Sequence, residues 1–227
     1  MAEYVLETKG LGISFGGLQA AQDVNIRIKK NQIYGLIGPN GAGKTTIFNL
    51  LTCVYKPTVG TFFLDGEEMK NLTPDKINQK GIARTFQNIR LFNNMTVVRN
   101  VMVGLHNDPK FKCNPLHSIF RTAHHFENEK RMRARAKEIL DIFGLLDERN
   151  NLACNLPYGK QRKLEIARAL ATNPKLLLLD EHTAALDPRT AEKVLALSKQ
   201  IIEENNLMTM MVTHNMRDAI AYGNRLI

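Results

Sequence analysis

The 227-residue sequence has little cysteine. Its three thiols, Cys53, Cys113 and Cys154, lie far apart and form no Cys-x-x-Cys pair. An odd, scattered set argues against a disulfide scaffold and a zinc site, and fits a reducing cytosol. Long apolar runs are also missing. None reaches the ~18 residues a bilayer-spanning helix needs, so no span is expected. The start, Met1-Ala2-Glu3-Tyr4, lacks a basic stretch followed by an apolar one, so no secretory signal is expected. Acidic residues are in the minority. The chain has 31 Lys and Arg against 22 Asp and Glu, a formal charge of +9. This excludes an acidic disordered tail and admits an anionic partner: nucleotide, nucleic acid or membrane surface. There is no internal repeat and no low-complexity stretch. What is present is 44% hydrophobic residues, ample for one globular domain or a core with a subdomain.

Periodicity predicts an α/β chain. Val24, Ile26 and Ile28 alternate with Asn25, Arg27 and Lys29, which predicts a strand. Ile33-Tyr34-Gly35-Leu36-Ile37 is almost wholly apolar, as a strand buried on both faces must be. A helix is expected over 46–51 and strands over 61–65 and 82–86. Thr73-Pro74-Asp75 reads as N-cap, N1 and N2 of a further helix that Gly81 ends. From about Thr96 to Asn155 the pattern turns helical and highly charged. Met132, Ala136, Ile139, Leu140 and Phe143 form one apolar stripe, with Arg131, Arg133, Arg135 and Lys137 on other faces as a solvated surface. The stretch from Leu105 to Phe126, with Pro109 and Pro115, reads as an irregular insertion. Beyond Tyr158 the α/β rhythm returns: helix near 161–171, strand 176–179, helix near 189–203, strand 208–212 and a short helix from Asn215. The expectation is a mostly parallel α/β core, 1–90 and 158–227, interrupted by a helical subdomain, 91–157.

Two motifs carry chemistry. Gly38-Pro39-Asn40-Gly41-Ala42-Gly43-Lys44-Thr45 matches G-x-x-x-x-G-K-[ST] between a strand and a helix, the context of a phosphate loop. The glycines let the backbone curl so that its N–H groups face phosphate oxygens, and the helix adds its positive end. Lys44 is expected on the β- and γ-phosphates and the Thr45 hydroxyl on Mg²⁺, with Thr46 beside it. The second motif, Leu176-Leu177-Leu178-Leu179-Asp180-Glu181, is a core strand ending in two carboxylates at the edge where open α/β sheets bind ligands. Asp180 is expected to help hold Mg²⁺ and Glu181 to orient and polarise the attacking water as general base.

With these residues in place the chain resembles the ATP-binding cassette ATPases of membrane transporters, which have a P-loop NTPase (RecA-like) core, an N-terminal antiparallel β part and a helical subdomain. The resemblance spans the chain and implies further roles. Gln87, in Arg84-Thr85-Phe86-Gln87, resembles the glutamine that senses Mg²⁺ and the attacking water. Leu156-Pro157-Tyr158-Gly159-Lys160 lies where the family has its Leu-Ser-Gly-Gly-Gln signature, which contacts the nucleotide of a partner subunit. Ala185-Leu186-Asp187 resembles the dimer-contact loop, His214 the switch histidine on the γ-phosphate, and Phe15 the ring that stacks on adenine. Two positions depart from the pattern. Pro157 replaces the signature serine and offers neither hydroxyl nor N–H. His182 replaces a proline that stiffens the turn after Glu181.

Within the family, Phe15 to Leu18, Ile37 to Phe48, Arg84 to Phe92 and Met95-Thr96-Val97 resemble the ATP-binding subunit of high-affinity branched-chain amino acid importers. Residues 181–188 and 213–216 look more like ATPases of another importer group, proposed to carry aromatic amino acids or related solutes. One phosphate loop and one signature per chain imply a head-to-tail dimer, with an identical or related ATPase subunit, enclosing two ATP. The resemblance further implies two transmembrane permease subunits, an extracytoplasmic substrate-binding protein and a peripheral place on the cytoplasmic membrane face. The positive charge then serves ATP steering and the membrane complex, and no nucleic-acid partner is expected. The other readings are a soluble cassette ATPase of DNA repair or translation, which usually carries a second cassette or a long coiled coil, and a regulator that binds nucleotide without hydrolysis. Arg225-Leu226-Ile227 opens an apolar strand, so a cassette truncated at its C-terminus is expected.

Overall fold

The computed structural model describes residues 4–30, 32–111, 123–180, 188–204, 207–212 and 225–226. Among the described residues, five strands form a parallel sheet: β4 (Ile33–Leu36), β7 (Ile82–Arg84), β8 (Leu176–Asp180), β9 (Met208–Val212) and β10 (Arg225–Leu226), in the order β10-β4-β9-β8-β7. Five others form an antiparallel sheet: β1 (Leu6–Phe15), β2 (Leu18–Val24), β3 (Arg27–Ile28), β5 (Val59–Leu64) and β6 (Glu67–Glu68). Its path is β2-β1-β5-β6, with β3 also on β1. The helices are α1 (Lys44–Leu51), α2 (Pro74–Lys80), α3 (Val97–Leu105), α4 (Ala123–Ile142), α5 (Tyr158–Ala171) and α6 (Pro188–Glu204). The expected mixed α/β architecture, with separate parallel and antiparallel parts, is the one observed.

The two-residue period of the parallel strands divides the interior. Leu176 and Leu178 of β8 and Met208, Met210 and Val212 of β9 join a core with α1 and the antiparallel sheet. Leu177, Leu179 and Met211 face the other way, into a core built by α3, α4, α5 and α6. That second core receives the whole α4 stripe: Met132, Ala136, Ile139, Leu140 and Phe143 are all buried, while Arg131, Arg133, Arg135 and Lys137 stay exposed. Each fully buried leucine contributes about 1.5–3 kcal/mol. The four of β8 therefore outweigh the few kcal/mol that desolvating one paired carboxylate costs, and the strand can carry Asp180 into the interior at its end.

Three sequence expectations are corrected. The alternating run around Ile26 is not one strand. Its burial alternates as expected, yet β2 ends at Val24 and β3 starts at Arg27. Asp23 adopts a left-handed φ of 47°, and the Asn25 amide donates to Asp23 while its oxygen accepts from Gly10 N at 2.8 Å. Such local side-chain bonds compete with the strand ladder. The strand expected over 82–86 stops at Arg84. The helix expected near Gln161 begins at Tyr158. Gly81 ends α2 as expected, at a φ of 109° that a side chain would resist. Of the insertion between Leu105 and Phe126, the described part holds a short 3-10 turn, Pro109–Phe111, and the start of α4. The short helix expected from Asn215 lies outside the described residues.

Candidate functional site

The register of the parallel sheet sets the site's floor. Leu36 pairs with Val212, and Val212 with Asp180, so β4, β9 and β8 finish in one row. The loop 38–43 leaves β4 at that edge and leads into α1. Gly43 caps α1 with a φ of 83°, and the Ala20 carbonyl oxygen lies 2.5 Å from where a Cβ would stand. Neither conformation nor space permits a side chain there. Gly43→Ala is therefore expected to cost about 2 kcal/mol or more in strain and displacement. That should lower the melting temperature by roughly 4–8 °C in a thermal unfolding scan.

Lys44 is buried, and its ammonium donates to Gly38 O at 2.7 Å and Pro39 O at 2.8 Å. An ammonium has three donors, so the loop holds the lysine in place without exhausting it. The first N–H groups of α1 have no partners within the helix and open onto a cleft of about 390 Å³. Asn40, Gly41, Gly43, Lys44, Thr45 and Thr46 line it, with Leu18, Gln19 and Ala20 of β2 opposite. Gln87 also lines it, so the structure brings together the loop and a residue more than forty positions away. Gly38, Pro39 and Ala42 complete the loop, with Ala42 N donating to Pro39 O at 3.2 Å. Phe15 is not among the lining residues. It is half exposed, meets the Tyr55 ring edge-on at 5.2 Å, and pairs across the β1–β2 hairpin with Leu18.

Asp180 is almost wholly buried and pairs with Arg84, Nη2 to Oδ2 at 2.6 Å. Arg84 Nη1 donates to Asn49 Oδ1 of α1 at 2.6 Å. Asp180 Oδ1 is buried with no hydrogen-bond partner among the described residues. Glu181, Asp187 and His214, the other expected site residues from this region, lie outside the described residues.

The loop that carries Gln87 is gripped by α5. Arg162 donates to Phe86 O at 2.6 Å, Gln87 O at 2.7 Å and Glu165 Oε2 at 2.6 Å. Glu165 Oε1 accepts from Phe86 N at 3.3 Å and Arg90 N at 3.2 Å. Arg168, one turn further on, donates to Arg90 O. Arg162 and Glu165 are fully buried. Burial pulls the Arg168 guanidinium below its ordinary value, with Glu165 acting the other way.

The signature-like residues start the same helix. Leu156 is buried, Pro157 is the N-cap at φ −54°, and Tyr158, Gly159 and Lys160 form the first turn with Tyr158 exposed. Pro157 accepts from Lys160 N and Gln161 N through its carbonyl, and no side chain caps the helix. Lys160 is tied to Glu148, whose carboxyl that hydrogen bond holds below its ordinary value. The sequence carried no sign that β2 would line the cleft, since only the hairpin brings it there. Arg84, Asn49, Arg162 and Glu165 were also missed as site residues, although Arg84 stands within the Arg-Thr-Phe-Gln motif and Arg162 beside the signature.

A strand–loop–helix cradle for phosphate at the C-terminal edge of a parallel sheet, with a buried aspartate at the same edge two strands away, defines a P-loop nucleotide-binding protein. The pattern of the ABC transporter family matches residues 21–184, and the chain belongs to that family as one of its ATPase cassettes. It is 40% identical over 227 residues to the high-affinity branched-chain amino acid transport ATP-binding protein BraF of Pseudomonas aeruginosa, covering all of this chain and 88% of that one. With the corresponding protein LivG of Escherichia coli it shares 38% over 226 residues, covering 100% and 88%. Among solved structures, an ADP-bound ATP-binding cassette of an ABC transporter superposes with a TM-score of 0.83 at 28% identity, covering 99% of this chain and 87% of that one. A dimeric cassette bound to ADP and phosphate in a post-hydrolysis state superposes with 0.80 at 30%, covering 98% and 93%. Among the described residues, no helix is long and apolar enough to cross a membrane.

Proposed function

We propose that this chain is the ATP-hydrolysing subunit of an amino acid importer, with branched-chain amino acids as its cargo. The observation that carries the ATPase part is the cleft in which Lys44, Thr45 and Gln87 converge. The cargo rests on the likeness to BraF and LivG. In this reading the backbone of 38–46 and the Lys44 ammonium hold the phosphates, and Phe15, beside the cleft-lining Leu18, supports the adenine. Hard oxygen donors suit Mg²⁺, and Oδ1 of Asp180, which has no partner among the described residues, together with the Thr45 hydroxyl fits it. No three His, Cys, Asp or Glu side chains converge among the described residues. None need to, because such an ion keeps most of its ligands as water and phosphate. Bound there, it would neutralise the charge that develops on the transferred phosphoryl group.

Glu181 then polarises the attacking water, Gln87 orients it, and His214 meets the γ-phosphate. Residues 1–90 and 158–227 act as the nucleotide core and 91–157 as a helical subdomain. A second cassette supplies its own signature and its Asp187 loop across the interface; Leu156 to Lys160 of this chain serve that partner in return. This chain docks peripherally on two transmembrane permease subunits, at the cytoplasmic membrane face. A groove of about 420 Å³, lined by Phe86, Arg90, Phe92, Asn107 and Arg168 among others, suits one of them. A substrate-binding protein delivers the solute from outside.

Phosphate release from ATP by the purified chain and by Glu181→Gln tests the chemistry. The variant is expected to bind ATP and to hydrolyse it at least ~10²-fold more slowly, the usual scale of general-base loss. No release by the wild type would sink the ATPase reading. Uptake of leucine against phenylalanine by the reconstituted complex tests the cargo.

A further inference from the structure

We propose that Arg84 is the positioning residue of the metal–nucleotide site: it sets the spacing between the helix that carries Thr45 and the strand that carries Asp180. This rests on the reading that those two residues hold the metal. They belong to different elements, α1 and β8, and Arg84 ties those same two elements together. One guanidinium nitrogen donates to Asn49, one helical turn beyond Thr45, and the other to Asp180, each at 2.6 Å. The guanidinium also lies near two rings, with Phe48 at 5.5 Å and Phe86 at 5.0 Å. A planar fork with both ends occupied and two rings beside it behaves as a strut of fixed length. It also takes up Oδ2 of Asp180 and leaves Oδ1, which has no partner among the described residues, for the ion. Phe86 and Arg84 lie just before Gln87, so the strut also anchors the start of that loop.

The alternative is a buried ion pair that only stabilises the fold, and Arg84→Lys separates the two. Lysine keeps the charge beside Asp180 but is a point donor that cannot span both partners. The experiment follows binding of a non-hydrolysable ATP analogue to the full chain by fluorescence, with excess chelator and across a Mg²⁺ series. Arg84→Lys is expected to raise the half-saturating Mg²⁺ concentration about tenfold, the loss of one charge-assisted hydrogen bond, and to change metal-free affinity less than twofold. Asn49→Ala, which leaves the ion pair intact, is expected to shift Mg²⁺ dependence the same way by about threefold; it decides the matter should Arg84→Lys not fold. Unchanged Mg²⁺ dependence in the folded variants overturns the proposal, and so does an equal loss with and without metal. Asp180→Asn identifies the cause of a failure. If it shifts Mg²⁺ dependence while the Arg84 and Asn49 variants do not, the strut alone is wrong. If it shifts nothing, the metal reading of Asp180 falls and the strut with it.

Discussion

Lys44→Ala is expected to weaken ATP binding at least about thirtyfold and to bring phosphate release to background. The lysine is the one cation among the described residues that line the phosphate cleft, and a hydrogen bond to a charged group is worth about 1.5–3 kcal/mol. One such bond to a phosphate oxygen, from the donor that Gly38 and Pro39 leave over, reaches the stated factor. Calorimetric titration with ATP and a phosphate-release assay check both numbers. The fold should tolerate the change, because Lys44 contacts only the carbonyls of its own loop, Gly38 and Pro39, among its hydrogen bonds here. A shift of only a few degrees in melting temperature is therefore expected. An unchanged ATP affinity would remove the cleft from consideration as the nucleotide site.

Glu165→Ala is expected to be the more damaging change for stability, by about 3–5 kcal/mol, because it strands a fully buried Arg162 without its counter-charge. In a chain of this size that is a fall of roughly 6–20 °C in melting temperature. The backbone groups of Phe86 and Arg90 that Glu165 accepts from lose their partner as well. Arg162→Met combined with Glu165→Leu separates fold from function. Removing both charges is expected to restore much of the stability, since no ion is left unpaired. Hydrolysis should stay impaired, because the loop that carries Gln87 loses its hold on α5. If the double variant recovers full ATPase activity, the pair serves stability alone.

Much of the fold was legible because its signals were local. The leucine run of β8 and the apolar run of β4 could only be buried strands, and the α4 stripe carried its period openly. The phosphate loop was legible for the same reason: its residue spacing is its mechanism. What stayed hidden depended on distant partners. Arg84, Arg162 and Glu165 are charged, and a charged residue reads as surface until its counter-ion is seen 96 positions away, as for Arg84 and Asp180, or its backbone acceptors 76 positions away, as for Arg162 and Phe86. The early start of α5 was hidden because Pro157 offers no capping side chain, while its fixed φ still suits the first turn. The break between β2 and β3 was set by Asn25 and Asp23, whose side-chain bonds do not show in a hydrophobicity pattern.

The grip of α5 on the Gln87 loop has a mechanical corollary. Arg162, Glu165 and Arg168 stand three residues apart, so the attachment runs for about 9 Å along the helix axis. A single tether leaves a loop free to pivot. Attachments in a row block swinging across the row and leave only rotation about it, so that across the row the loop and helix move together. Pro157 and Tyr158 stand at the end of that helix, about a turn beyond the first attachment. A loop displaced across that row is expected to carry the helix start at Pro157 with it, as a handle moves with its shaft.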